Sequence, residues 1–227
     1  MASETRTRAR SRAAGRAGPD DAAGNGADES RAEILRAAAT AFMAHGYAAT
    51  SIDTVADVLG ATKGRVYYYY RSKTDLFFDI HRQAMAMNLA VMRPLAMAAH
   101  PAAVRLFNMA RAHAMLVMEH LPTQRVLNQG VELHLTGRTT PSQRDVLTEL
   151  MAMRTQFQDL YVTVLRDGIE SAEFRESEPR LLVKPVLGAL NWMTVWYHPR
   201  PDETRKSRDR IADEMATFVL HAVRAGP

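Results

Sequence analysis

Apolar residues recur at helical spacing over most of the chain, and nowhere do they alternate as a strand requires. Ile34, Leu35, Ala38 and Phe42 form the first apolar face. Ser30-x-x-Glu33 opens it as a capping box, and Gly46 closes it with His45 in the last turn. Ile52, Val55, Ala56 and Leu59 then line a two-turn helix that begins at the Thr50-x-x-Asp53 pattern and ends at Gly60. Thr62 is a third N-cap candidate. Longer helices are expected over 75–93, stopped by Pro94, and over 102–120, ahead of Pro122. Further helices are expected over 124–135, ended by Thr136-Gly137, then over 142–171, 182–197 and 203–224. The expected fold class is all-α.

Composition agrees with this reading. Alanine, leucine and methionine are abundant and β-branched runs are scarce. The 227 residues suffice for one large domain or two small ones. The absence of cysteine excludes a disulfide framework, a zinc–thiolate site and a catalytic thiol, and fits a reducing, cytoplasmic location. No apolar stretch follows the arginine-rich start, so no signal peptide is expected there. The longest uncharged apolar run, 185–197, has 13 residues, short of the roughly 20 that span a bilayer, so no membrane partner is expected. The chain carries no nucleophile elbow, P-loop, dinucleotide fingerprint or paired-carboxylate cluster, so neither an enzyme nor a cofactor is expected. No metal site is expected either, because His113, His120 and His134 lack the spacing of a ligand set and Glu132-x-His134 puts its pair on different helix faces.

Charge is uneven. Arg6, Arg8, Arg10, Arg12 and Arg16 stand against Glu4 in residues 1–17. Lys63, Arg65, Arg71 and Lys73 stand against Asp75 in residues 60–77, and the remainder is slightly acidic. Local positive charge on a near-neutral body points to a local polyanion. Residues 1–29 hold too few large apolar side chains to build a core and are expected to form a disordered basic tail. That tail is either a solubilising segment or a basic arm adding salt-sensitive DNA affinity.

Residues 51–70 have the requirements of a helix-turn-helix. Two helices crossing through a short turn need a small residue at the crossing, a residue tolerant of positive φ in the turn, and a branched apolar residue facing back. Ala56, Gly60 and Val66 supply these in order. The second helix begins at Thr62 and carries Lys63, Gly64, Arg65, Tyr67 and Tyr68. Lysine and arginine there can pair with guanine edges in the major groove. Gly64 either lets the backbone approach DNA or is merely a poor helix residue. Four consecutive tyrosines, Tyr67 to Tyr70, point four ways around a helix and cannot share one role.

The stretch ILRAAATAFMAHGYAATSIDTVADVLGATKGRVYYYYRSKTDLF resembles the DNA-binding domain of the TetR family of bacterial transcriptional repressors. The likeness covers residues 31–77. It is carried by Gly46-Tyr47, by Thr50, Ser51 and Ile52, by Val55-Ala56, by the run Thr62 to Tyr70, and by Ser72-Lys73. Thr62, Tyr70 and Arg71 depart mildly from the family's usual residues. The resemblance implies a helix-turn-helix domain over 30–76, with the helix-turn-helix at about 51–70, and a helical ligand-binding and dimerisation domain over 77–227. It implies a homodimer that binds double-stranded DNA, one recognition helix per half-site, and a repressor released by a small-molecule effector. It places Thr50, Ser51, Thr62, Lys63, Gly64, Arg65, Tyr67, Tyr68 and Lys73 at the DNA. Lys63 and Arg65 are assigned to base edges, and Tyr67 and Lys73 to phosphates. Tyr70 is expected to pack on the first helix, and Tyr69 has no assigned place.

The same resemblance puts the dimer interface on the last two long helices, with Gly188, Ile211, Met215, Phe218 and Ala222 as its residues. The alternative is that the stripe Ile211-Met215-Phe218-Ala222 packs within one subunit. The segment GALNWMTVWYHPRPDET is similar to a pattern in TetR-like regulators of lipid and steroid degradation that respond to acyl-CoA thioesters. Candidate ligand residues are therefore Asn191, Trp192, Trp196, Arg111 and Met118. Met85, Met87, Met92, Met115, Met118, Met151 and Met153 either line an elongated apolar slot or fill the core. Arg105, Arg111, Arg125 or Arg154 can meet CoA phosphates. The competing functional reading is a TetR-like regulator of efflux or another pathway responding to a non-CoA apolar ligand. More distant readings are a helical acyl-CoA enzyme and a DNA-packaging protein.

Overall fold

A computed structural model describes residues 19–128 and 140–225. Among these the regular secondary structure is all helical: α1 (Pro19–Ala49), α2 (Ile52–Leu59), α3 (Lys63–Tyr69), α4 (Lys73–Ala96), α5 (Ala102–Glu119), α6 (Leu121–Asn128), α7 (Pro141–Glu170), α8 (Pro179–Trp196) and α9 (Arg205–Val223). The arginine-rich residues 1–18, the expected helix end over 129–135 and the stop at Thr136-Gly137 lie outside the described residues.

The first helix begins at Pro19, well ahead of the expected Ser30 cap. Once Ile34, Leu35, Ala38 and Phe42 are packed, extending the helix outward costs little, because nucleation is already done. Ser30 thus lies inside α1 instead of capping it. Gly46, at φ 77° and ψ 160°, breaks the regular helix where the sequence pattern placed its end. The cap of α2 is Ser51, not Thr50: the Thr54 N–H donates to Ser51 Oγ at 3.1 Å, and the Ser51 N–H donates to Thr54 Oγ1 at 3.3 Å. Gly60 adopts the left-handed conformation, φ 66° and ψ 31°, and its N–H bonds the carbonyls of Ala56 and Asp57. Ala56 and Val66 are fully buried where α2 meets α3. The three positions that specify a helix-turn-helix therefore have their required environments.

α4 continues past Pro94, contrary to the expected stop. The missing N–H lies in the last turn, where only a few residues remain to be distorted. This helix serves two cores. Leu76, Phe77, Phe78 and Ile80 belong to the N-terminal core with α1, α2 and α3. Met85, Leu89, Met92 and Ala96 belong to the larger C-terminal core with α5, α7, α8 and α9. Val126, Leu147 and Leu150 from α6 and α7 also enter the N-terminal core. The expected division at 76–77 thus falls inside a continuous, shared helix.

Polar bonds reinforce this joint. The Tyr70 hydroxyl donates to Asp79 Oδ2 at 3.0 Å and accepts from Arg31 Nε at 3.0 Å. Burial pushes that hydroxyl's pKa up to about 12. Arg31 also pairs with Asp79. Arg82 bonds Asp79 and makes a two-pronged pair with Glu149 of α7, both contacts at 2.8 Å. In the C-terminal part, Glu173 accepts from the N–H groups of Ala102 and Ala103 at 3.1 and 2.9 Å. It caps α5 from a distant loop, where Pro101 offers no side-chain cap. Those backbone bonds, Ala103's first, hold the Glu173 carboxyl below its ordinary pKa.

Replacing Ala56 with leucine forces extra volume into the α2–α3 crossing. Ala56→Leu is expected to destabilise the folded chain by about 1–3 kcal/mol, read as a lower urea midpoint at an unchanged transition slope.

Candidate nucleic-acid interface and ligand cavity

One surface gathers most of the residues expected at DNA. Ser51, Thr62, Lys63, Gly64, Tyr67 and Tyr68 are exposed side by side on α3 and the start of α2. Tyr67 is 50% exposed and Tyr68 82%, so two large rings face solvent with hydroxyls available for bonding. Gly64 has only Thr62 Oγ1 near the place of a β-carbon, at 4.0 Å, which leaves room for a close partner. The tyrosine run divides by geometry. Tyr70 is buried as expected, and Tyr69, which the sequence left unplaced, packs half-buried against the N-terminal core.

The two base-reading candidates are held by carboxylates. Lys63 pairs with Asp53, which raises the pKa of its ammonium above the ordinary range. Arg65 reaches back to α1, bonding Glu33 at 2.6 Å and Ser30 at 3.3 Å. Glu33 and Ser30, read from sequence as a capping box, are thus the seat of Arg65.

Two residues expected at DNA, Thr50 and Lys73, bond within the fold. Thr50 is buried, and its hydroxyl donates to the carbonyls of Gly46 at 2.8 Å and Ala41 at 3.3 Å. It closes the broken end of α1, where carbonyls need donors. Lys73 directs its ammonium to the carbonyls of Tyr47, Ala48 and Thr50 at 2.9, 2.9 and 3.2 Å, over the Tyr47 ring. An ammonium has three protons, and in this structure they meet these three carbonyls.

A cavity of about 310 Å³ lies between α4, α5, α6, α7 and α8. Its wall includes His81, Met85, Asn88, His113, Gln124 and Asn191. Asn88 Nδ2 donates to Gln124 Oε1 at 3.2 Å and Gln124 Nε2 donates to Asn88 Oδ1 at 2.8 Å, and both side chains are buried. His113 bonds the Tyr161 hydroxyl at 3.2 Å. Burial pushes its pKa down to about 4, so it is neutral near pH 7.

Of the expected ligand residues, Asn191 alone lines this cavity. Trp192 is 62% exposed on the outer side of α8. Trp196 borders a separate shallow cleft formed with the 197–211 segment. Arg111 pairs with Asp209 and Asp213 at 2.6 Å each. Met118 is buried with Met193 and Tyr197 in a small core of its own. Among the seven methionines considered, only Met85 lines the cavity, while Met92 and Met118 fill core. Arg154 is the one CoA-phosphate candidate on the wall; Arg105 pairs with Asp167, and Arg125 bonds the carbonyls of Thr194 and Tyr197. The cavity residues missed from sequence come from several helices with no local spacing. Their one signal was a polar side chain interrupting a buried apolar face, as at His81, Asn88, His113 and Gln124.

The expected interface residues separate as well. Leu181, Pro185, Gly188, Trp192 and Val195 lie exposed along one face of α8. Phe218 is 59% exposed and Ala222 is exposed on α9. Ile211 and Met215 pack partly buried against the protomer's own core. No helix among the described residues is long and apolar enough to cross a membrane.

Residues 34–80 match the family described as bacterial regulatory proteins, tetR family, and residues 99–223 match a tetracyclin repressor-like C-terminal domain. The chain belongs to the TetR family. The transcriptional repressor KstR2 of Rhodococcus jostii is 25% identical over 191 residues, which cover 84% of this chain and 89% of that protein. The solved structure of the TetR-family regulator PfmR from Thermus thermophilus superposes with a TM-score of 0.69 at 28% identity, covering 83% and 97% of the two chains. AibR, solved in complex with isovaleryl coenzyme A and operator DNA, superposes with a TM-score of 0.68 at 20% identity, over 84% of this chain and 98% of that one. As a TetR-family member, the chain is a transcriptional regulator whose helix-turn-helix is its DNA-binding element.

Lys73→Met removes the donor to three carbonyls at the end of α1. It is expected to lower the stability of the DNA-free protein by about 1–3 kcal/mol, measured by chemical unfolding. Unchanged stability with weakened DNA binding would instead support the expected phosphate contact.

Proposed function

We propose that this TetR-family regulator is a ligand-responsive repressor that binds a palindromic operator as a homodimer and releases it when a small-molecule effector fills the cavity. The observation that carries this reading is the continuity of α4. Leu76 to Ile80 hold the recognition domain's core, and His81, Met85 and Asn88 on the following turns wall the cavity. A ligand that moves α4 therefore moves the base on which α3 is mounted, and coupling between sites requires such a shared element. Arg82, bonded to Asp79 and Glu149, ties the same turn to α7.

Homodimerisation is supported by the exposed apolar stripe on α8 together with Phe218. Trp192 and Phe218 are large rings that a monomer would leave in water. An acyl-CoA thioester as effector is supported by the likeness to AibR and by Arg154 and Lys184 on the cavity wall. The polar wall counts against a purely apolar ligand. DNA recognition is supported by Lys63, Arg65, Tyr67 and Tyr68 on a helix whose neighbours leave its outer face open.

Anisotropy titrations on an operator selected from random DNA test this reading. Arg65→Ala is expected to lose roughly 1–3 kcal/mol and to relax discrimination at one base pair. Glu33→Gln is expected to act in the opposite direction on affinity, because it removes the carboxylate that competes for Arg65. A wild-type protein that prefers no palindrome over random DNA would overturn the repressor reading, since specific regulators favour their sites by about 10³-fold or more. In sedimentation experiments, Trp192→Glu combined with Phe218→Glu is expected to convert dimer to monomer.

A further inference from the structure

We propose that the hydroxyl of Tyr70 sets the angle of the recognition helix against the cavity-bearing helix α7, through a side-chain link that runs Tyr70–Asp79–Arg82–Glu149. These four are positioning residues for operator discrimination. The inference rests on α3 being the helix that reads an operator, and it is independent of what fills the cavity.

The recognition helix is weakly held by its own body. α3 spans Lys63–Tyr69, and Val66 is its one buried side chain. Thr62 at its N-cap makes no side-chain cap bond. Its packing on other helices is mainly with α2. A helix this short has little stability of its own, so contacts at its ends decide how it sits. Arg65 ties the first turn to Glu33 and Ser30 of α1. Tyr70 closes the other end. Its N–H bonds the Val66 carbonyl at 2.9 Å, and its ring is buried in the N-terminal core.

The Tyr70 hydroxyl is fixed in both senses. It accepts from Arg31 Nε and donates to Asp79 Oδ2, each at 3.0 Å. Bonds to charged partners are stronger than bonds between neutral groups. The Asp79 side chain is only 13% exposed, and its other oxygen takes Arg82. Arg82 in turn holds Glu149 with two bonds of 2.8 Å, Nε to Oε1 and Nη2 to Oε2. A two-pronged pair fixes direction as well as distance. Glu149 precedes Leu150, which lines the cavity and also enters the N-terminal core. The cluster balances two guanidinium groups, Arg31 and Arg82, against two carboxylates, Asp79 and Glu149.

This link adds what apolar packing does not supply. Asp79 and Arg82 both belong to α4; the Tyr70 hydroxyl brings in the end of α3, and the Glu149 carboxylate brings in α7. Hydrogen bonds specify direction, whereas contacts between apolar side chains are non-directional. Phosphate contacts depend on charge and supply non-specific affinity, while base-edge bonds require the helix at one angle. A broken link therefore costs discrimination more than general DNA affinity.

Anisotropy titrations of the full-length protein with its selected operator and with random DNA of equal length test this, and the ratio of the two affinities is the readout. Tyr70→Phe keeps the ring and removes the hydroxyl. Glu149→Gln keeps the shape and removes a negative charge, while Arg82→Met removes a positive one. Each is expected to lower the ratio by about threefold to tenfold, and Tyr70→Phe is expected to leave affinity for random DNA within about twofold of wild type. Tyr70→Phe combined with Glu149→Gln is expected to lose no more than the larger single effect, because both cut one link; independent sites would multiply to within about twofold. Melting of the DNA-free variants reports folding. Glu149→Gln and Arg82→Met, both on partly exposed side chains, read the link even where Tyr70→Phe melts too low to assay. A ratio within about twofold of wild type in any of the three single variants overturns the inference, and so does a double variant whose losses multiply. A wild-type protein that prefers no sequence overturns the operator-binding reading, and the inference falls with it.

Discussion

The arrangement depends on one helix being shared by two cores. α4 buries Leu76, Phe77, Phe78 and Ile80 among the helices of the recognition domain, then Met85, Leu89, Met92 and Ala96 among the helices of the larger domain. Close-packed interiors transmit displacement because they have little free volume to absorb it. A single helix is therefore anchored in both interiors. The polar joint around Asp79, with Arg31, Tyr70 and Arg82 converging on one carboxylate, fixes the orientation of that helix against α1, the end of α3 and, through Glu149, α7.

The recognition surface is shaped by the same economy. Charges that look available in sequence are largely engaged in the free protein. Lys73 closes the end of α1, Arg65 lies on Glu33, and Lys63 lies on Asp53. Exposed pairs of the latter kind are weak, whereas an ammonium bonded to three carbonyls is held by several bonds at once. The phenols of Tyr67 and Tyr68 remain outward because the helix turn has already used Val66 and Tyr70 for packing.

The helices around the cavity combine apolar packing with buried polar groups. Large apolar side chains such as Leu106, Leu165 and Leu190 fill the C-terminal core. The polar residues Asn88, Gln124, His81 and His113 are buried among them. Such residues are expensive in a core and need partners, which the amide pair and the Tyr161 hydroxyl in part supply. Asn88, Gln124, His81 and His113 converge on one space.

The helix-turn-helix was legible in the chain because its determinants are local. Ala56, Gly60 and Val66 act through spacing, steric size and positive φ, all of which a sequence states directly. The all-helical class was legible for the same reason, from the period of its apolar residues. Boundaries were less so: Ser30 and Pro94 read as a start and a stop, yet packing on both sides carries α1 and α4 past them. Tertiary structure alone decided which polar groups work inside the fold. Thr50 and Lys73 matched a DNA-contacting pattern but face the carbonyls at the end of α1, since those unsatisfied groups lie nearest. Trp192, Arg111 and Met118 sat in suggestive stretches but turned to the surface, to an ion-pair cluster and to core. A cavity is a property of five helices at once, and no window of the sequence holds the distances that bring Asn88, Gln124 and Asn191 together.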